Sequence, residues 1–183
     1  MWFRSDNYTH SAFAIFTLVI CLSITIVVSQ QIVFTSGNAK FHHAYFKEFR
    51  LLAHNGSLDI LMNITHDLPQ DPWMNFAVSM GGSNKTAGHR KLLQYNVNMC
   101  KILDHNERSL VSIWVQNIFK HGTIPSKCPI KKGNYTWCGM RPEMLNIPTF
   151  FAKGQYFVNM DLYFRQKRPK ISLANLTVII EKK

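Results

Sequence analysis

Acidic residues, glycine, proline and cysteine are all scarce in this 183-residue chain, and each scarcity excludes something. The ten Asp and Glu are scattered, with no pair spaced for acid–base work. Nine Gly and seven Pro are too few for a fibrous chain, and 46% hydrophobic residues are too many for a disordered one. No internal repeat, low-complexity stretch or long polar linker separates one part from another. The sequence also lacks G-x-S-x-G, H-E-x-x-H and G-x-G-x-x-G. Gly81-Gly82-Ser83-Asn84-Lys85-Thr86 fails the spacing of a phosphate loop and reads as a hairpin turn. Neither enzymatic activity nor a cofactor or metal is expected.

What is there begins with a targeting signal. Ala12 to Val28 carries no charge, follows Arg4 and His10, and ends at Val27 and Ser29, which fit the small-residue cleavage positions. We read residues 1–29 as a signal peptide and 30–183 as one domain; the alternative, an uncleaved signal anchor, also places the remainder outside the cytosol. Fourteen Asn and 22 Ser plus Thr would give roughly 1.7 Asn-X-Ser/Thr triplets by chance, yet there are six. Asn7 falls in the leader. Asn55, Asn63, Asn84, Asn134 and Asn175 are the candidate glycan acceptors, and a secreted glycoprotein follows as the expectation.

Without Cys21 in the leader, Cys100, Cys128 and Cys138 remain, an odd number for an oxidising compartment. One pair and one leftover thiol follow. Zinc ligation borrowing His105 or His121 lacks the close ligand pairs that such sites use.

Short alternating apolar runs dominate the rest. Ser57 to Thr65, Met74 to Met80, Leu93 to Met99, Tyr135 with Trp137, Tyr156 to Phe164 and Leu176 to Ile180 each alternate, as half-buried strands do. The second and third form a hairpin around the Gly81–Gly88 loop, and sequons fall opposite the apolar faces. A first strand is expected around Phe41 to Leu52. One helix interrupts the series near residues 109–121, where Leu110, Val111, Trp114, Val115, Ile118 and Phe119 recur at helical spacing behind a Ser109 cap and before a Gly122 stop. Six or seven strands and one helix specify an all-β sandwich.

Two surfaces qualify as functional. Trp114 and Phe119 on the helix, with Phe76, Met80, Phe151 and Met160, can line a pocket for a lipid or another small hydrophobic molecule, because Met and Phe adapt to irregular apolar shapes; the bland alternative is an ordinary packed core. The net charge of +11 and the cluster Arg165, Lys167, Arg168 and Lys170 suit an acidic surface, glycan or receptor partner, the alternative being a solvated turn. Aromatic interleaving is missing from that cluster, so no nucleic acid is expected. His42 and His43, adjacent on the expected first strand, would point to opposite faces and so make no joint site.

The stretch Asn98-Met-Cys100-Lys101-Ile-Leu103, the Trp114 helix, and Lys120 to Tyr135 with its Cys128-Pro129-Ile130 and Gly133-Asn-Tyr135 resemble a large, chiefly fly, insect family of secreted proteins carrying a domain of unknown function. Ile147-Pro148 and Gly154-Gln-Tyr156 extend the resemblance, which covers about residues 85–165. It implies an immunoglobulin-like sandwich akin to the ML lipid-recognition proteins, extracellular binding of a hydrophobic ligand, and a chemosensory or signalling setting. Asn98 and Thr123 depart from the usual motif, and no cysteine lies between residues 30 and 99, so the family's disulfide set does not carry over whole.

Pairing Cys100 with Cys128 would staple the helical excursion onto the sheet. Alternation from Tyr135 and Trp137 then sends Cys138 outward, where it would be capped or would join a second chain in a disulfide-linked dimer; a buried inert thiol is the alternative, and a bulge before Gly139 would reverse the parity.

Overall fold

The structure, a computed structural model, describes residues 31–81, 88–104, 106, 109–123, 125, 127–145, 151–165 and 170–183, all within the compact unit Gln31–Lys183. The leader read over residues 1–29, the Asn84 sequon with most of its loop, and residues 166–169 of the basic cluster lie outside them.

The chain folds as an all-β sandwich. Its strands are β1 (Ile32–Phe41), β2 (Phe46–His54), β3 (Ser57–Ile64), β4 (Pro72–Met80), β5 (Arg90–Asn98), β6 (Gly122–Thr123), β7 (Gly133–Met140), β8 (Gly154–Phe164) and β9 (Ile171–Lys182), with helices α1 (Met99–Leu103) and α2 (Leu110–Phe119). One antiparallel sheet runs β1-β9-β8-β4-β5 and the other β2-β3-β7-β6. The expected β4–β5 hairpin forms, with Phe76 opposite Tyr95. Inward rows such as Met74, Phe76 and Val78 on β4 and Leu176, Val178 and Ile180 on β9 supply the core. Fully burying each such side chain stabilises the fold by about 1.5–3 kcal/mol.

At one side the sandwich is pinched shut. β1 and β2, edges of opposite sheets, run together, and the Phe34 amide donates to the Gly56 carbonyl at 3.1 Å. A Cβ on Gly37 would stand 2.7 Å from the Leu51 Cβ, so only glycine permits this approach. The β2–β3 turn is Asn55-Gly56, with φ of 48° and 76°, a conformation for which Asn-Gly is preferred.

Several expectations are corrected. The strand expected around Phe41–Leu52 is β2, which begins only at Phe46; Phe41 instead ends β1, a strand that no expectation covered, and a turn at His42–Tyr45 containing neither Gly nor Pro lies between them, the Tyr45 and Phe46 amides closing it on the His42 carbonyl. His42 and His43 therefore sit exposed in that turn rather than on opposite faces of a strand. Two helices replace one. Met99 starts α1 instead of ending β5, because the Asn98 carboxamide accepts from the amides of Cys100 and Lys101 and caps a helix there. The later helix runs Leu110–Phe119 within the expected 109–121, its Ser109 cap reinforced by a reciprocal bond from Ser112. Gly122 opens β6 rather than merely stopping the helix.

Cys100 and Cys128 form the expected disulfide, with Cα atoms 5.6 Å apart, and tie α1 to the segment after α2. Tyr135 and Trp137 point inward, and Cys138 is exposed and unbridged. A bulge does occur here, since Leu58 pairs with Met140 but Ile60 with Trp137; Cys138 and Gly139 together stand opposite Asp59, and both are exposed, so Cys138 keeps its outward position.

With its ends separated by 28 positions in the sequence, the bridge restrains the unfolded chain by about 3–4 kcal/mol. Replacing both Cys100 and Cys128 by Ala should lower stability in urea by that amount, whereas Cys138→Ser should stay within about 0.5 kcal/mol of the parent.

Candidate functional site: an apolar cavity between the sheets

Opposite the pinched side, α2 stands between the two sheets. Trp114 packs on Phe76 of the first sheet with ring centroids 5.9 Å apart, and Phe119 stacks on Trp137 of the second at 6.4 Å. One helix face thus bridges both layers, with Val115 buried between the two rings in sequence and Ile113 exposed on the outside. Aromatic pairs at these distances contribute about 0.5–1.5 kcal/mol each beyond simple burial.

Between the sheets lies a cavity of about 230 Å³. Its walls come from both inward faces and from α2, and they are almost wholly aliphatic and aromatic. Phe76, Trp114, Phe119, Phe151 and Met160 all line it. Met80 does not: it is half-buried at the end of β4, with its methyl packed beside Gly154. Sequence reasoning missed Phe34, Phe46, Phe49 and Leu51, which line the cavity from β1 and β2. β1 is missing from the expected elements, and the strand expected around Phe41–Leu52 runs across the His42–Tyr45 turn into β2, so neither inward row is legible. It also missed Trp137, whose buried indole Nε1 finds no hydrogen-bond acceptor among the described residues.

At one end of the sandwich the lining becomes polar-tipped. Lys182 is only 5% exposed and its Nζ donates to the Phe151 carbonyl at 2.6 Å. Nearby, the Tyr156 hydroxyl donates to the Ala152 carbonyl at 2.6 Å, and its ring meets Phe151 edge-on at 5.3 Å. Burial holds the Tyr156 hydroxyl above its ordinary pKa, with Arg90 acting weakly the other way, so at neutral pH it remains a protonated donor. Both bonds fasten residues 151–152 against the strand ends.

Other candidates are placed as follows. Asn55, Asn134 and Asn175 are exposed, while Asn63 is half-buried and donates to Asn134, its direct partner across β3 and β7. Arg165 lies over the Trp73 ring at 4.5 Å and Lys170 over Tyr163 at 3.4 Å, so the described ends of the basic cluster rest on aromatic faces. Asp71 approaches Cys100 and Cys128 closely enough to suggest a metal cluster, but the two sulfurs are bonded to each other.

Residues 74–158 match a family model. Its description is Protein of unknown function (DUF1091). No curated protein matches the chain. The DUF1091-like span runs from Met74 in β4 to Val158 in β8 and contains both helices, the disulfide, and the Phe76, Trp114, Phe119 and Phe151 walls. β1, β2, β3 and β9 complete the cavity from outside the matched span.

Because Trp114 is only half-buried, Trp114→Ala should cost less than the 3–5 kcal/mol of a fully buried ring, about 2–3 kcal/mol by urea denaturation. Ile113→Ala, one residue away on the exposed face, should change stability by less than about 0.5 kcal/mol.

Proposed function

We propose that the protein is a secreted, glycosylated binding protein that carries a lipid or another small hydrophobic molecule between its sheets. Binding, rather than catalysis, is its chemistry. The observation that carries this reading is the apolar cavity of about 230 Å³, bounded by two sheets and a helix. Protein interiors normally pack to crystal density with few voids larger than a water molecule, and an apolar void of about 150 Å³ already accepts benzene. By that proportion this cavity takes a chain of about nine or ten carbons. Secretion is supported by the charge-free stretch from Ala12 to Val28, and glycosylation by sequon asparagines that lie exposed on turns and outer faces. The likeness to ML lipid-recognition proteins, and the chemosensory or extracellular signalling setting it suggests, belong to the same proposal.

Filling the cavity tests it. The neutral dye N-phenyl-1-naphthylamine should bind the parent with enhanced fluorescence. Val178→Phe places a ring in the void from the buried row of β9 and should weaken dye binding at least tenfold while keeping stability within about 1 kcal/mol. A parent that takes up no dye, with a variant destabilised by about 1–3 kcal/mol through overpacking, would show a solid core and a protein that works from its surface.

A further inference from the structure

The outer face of the five-stranded sheet is built largely of amides. Between the buried Met74, Phe76 and Val78, β4 turns Asn75 and Ala77 outward, and the pairings carry these positions across every strand. One transverse row is Lys40, Asn175, Asp161, Asn75 and Asn96. The next is Asn38, Thr177, Asn159, Ala77 and Gln94. Asn and Asp are depleted in strands, so strand formation does not by itself select rows of this kind. Hydrogen bonds join them: the Asn175 and Asn75 amides both donate to the Asp161 carboxylate, the second at 3.4 Å, and Gln94 donates to Asn75 at 3.0 Å. A chain of bonds therefore runs from β9 to β5. In a protein of net charge +11, the two rows hold one cation, Lys40, and one anion, Asp161. Such a face complements a neutral, hydroxyl-rich ligand rather than an acidic one.

From this placement we infer that the Asn175 sequon carries a glycan whose core sugars lie across this face, along the amide rows from β9 toward β5, instead of projecting into solvent. The inference rests on the glycosylation reading above and gives one of its sites a defined surface. Asn175-Leu176-Thr177 is a sequon, and Asn175 is exposed. A carboxylate only accepts, so it is the Asn175 amide nitrogen that faces Asp161. Attachment of the first sugar consumes one of the two N–H groups and leaves the other for Asp161, which pins that sugar at the head of the row. From there Asn96 lies three strands away, about 14 Å at the spacing of neighbouring strands, which a short oligosaccharide spans and a single sugar does not. Sugar hydroxyls both donate and accept, as a carboxamide does. Each such bond gains little over water, but tethering at Asn175 holds the sugars at an effective concentration of about millimolar, where weak contacts suffice.

Glycan release by peptide N-glycosidase F from the full chain, secreted by cultured mammalian cells, tests this. Release at Asn175 should be about tenfold slower from the native protein than from the denatured one. Replacing Gln94 and Asn96 together by Ala should restore most of that factor at Asn175 and leave release at the other sequons unchanged. Both side chains are exposed on β5, three strands from the sequon, so the variant keeps the fold and touches the enzyme's target only through the glycan. Native release as fast as denatured, or a slow release that the double variant leaves unchanged because the strand alone hinders the enzyme, would overturn the inference. So would a bare Asn175 beside glycosylated sequons elsewhere. Each of these results leaves the glycosylation reading standing, whereas a chain without glycan at any sequon would remove both.

Discussion

A helix inserted at one edge of a sandwich sets how far apart the two sheets can stand, and in this chain the spacing comes from two ring contacts. Trp114 rests on Phe76 of one sheet and Phe119 on Trp137 of the other, so α2 props the layers open while the β1–β2 edges, closed over Gly37, hold the far side together. The cavity lies between these two sides, lined by Trp114 and Phe119 from the prop and by Phe34, Phe49 and Leu51 from the pinch.

The prop needs an anchor, because a ten-residue helix is marginal by itself. Its N-terminus is fixed by the Ser109–Ser112 capping box, and the loops around it are tied back by the Cys100–Cys128 bridge, whose first cysteine lies in α1 directly after β5. The cavity is thereby coupled to fold stability. Trp114 and Phe119, which seat α2 on the two sheets, are also walls of the cavity, so loosening the helix both destabilises the protein and reshapes that space.

Much of this was legible in the sequence, for identifiable reasons. Strands with one wet face announce themselves by alternation, which is why β3, β4, β7 and β9 were placed correctly and why Tyr135 and Trp137 were assigned inward. The stripe from Trp114 to Phe119 likewise exposes a helix with one apolar face. What failed was whatever lacked a local signal. The β1–β2 turn is closed by backbone bonds on His42 without Gly or Pro, and α1 is a five-residue helix whose Asn98 cap follows a run that still alternates through Val97 and Met99. Of the missed cavity residues, Phe34 lies on β1, which no expectation covered, and Phe46, Phe49 and Leu51 lie on β2, whose start this hidden turn conceals. Lys182 was within reach, since the parity of Leu176, Val178 and Ile180 continues to it, but a terminal lysine reads as solvent-facing until its burial is seen.

Whether the propped sheets enclose real space is measured most directly by diffraction from crystals of the protein under xenon pressure. An apolar cavity of this volume takes up xenon, so a bound atom is expected among Phe76, Trp114, Met160 and Val178. Crystals that admit xenon only at the surface, with those side chains in mutual contact, would contradict it.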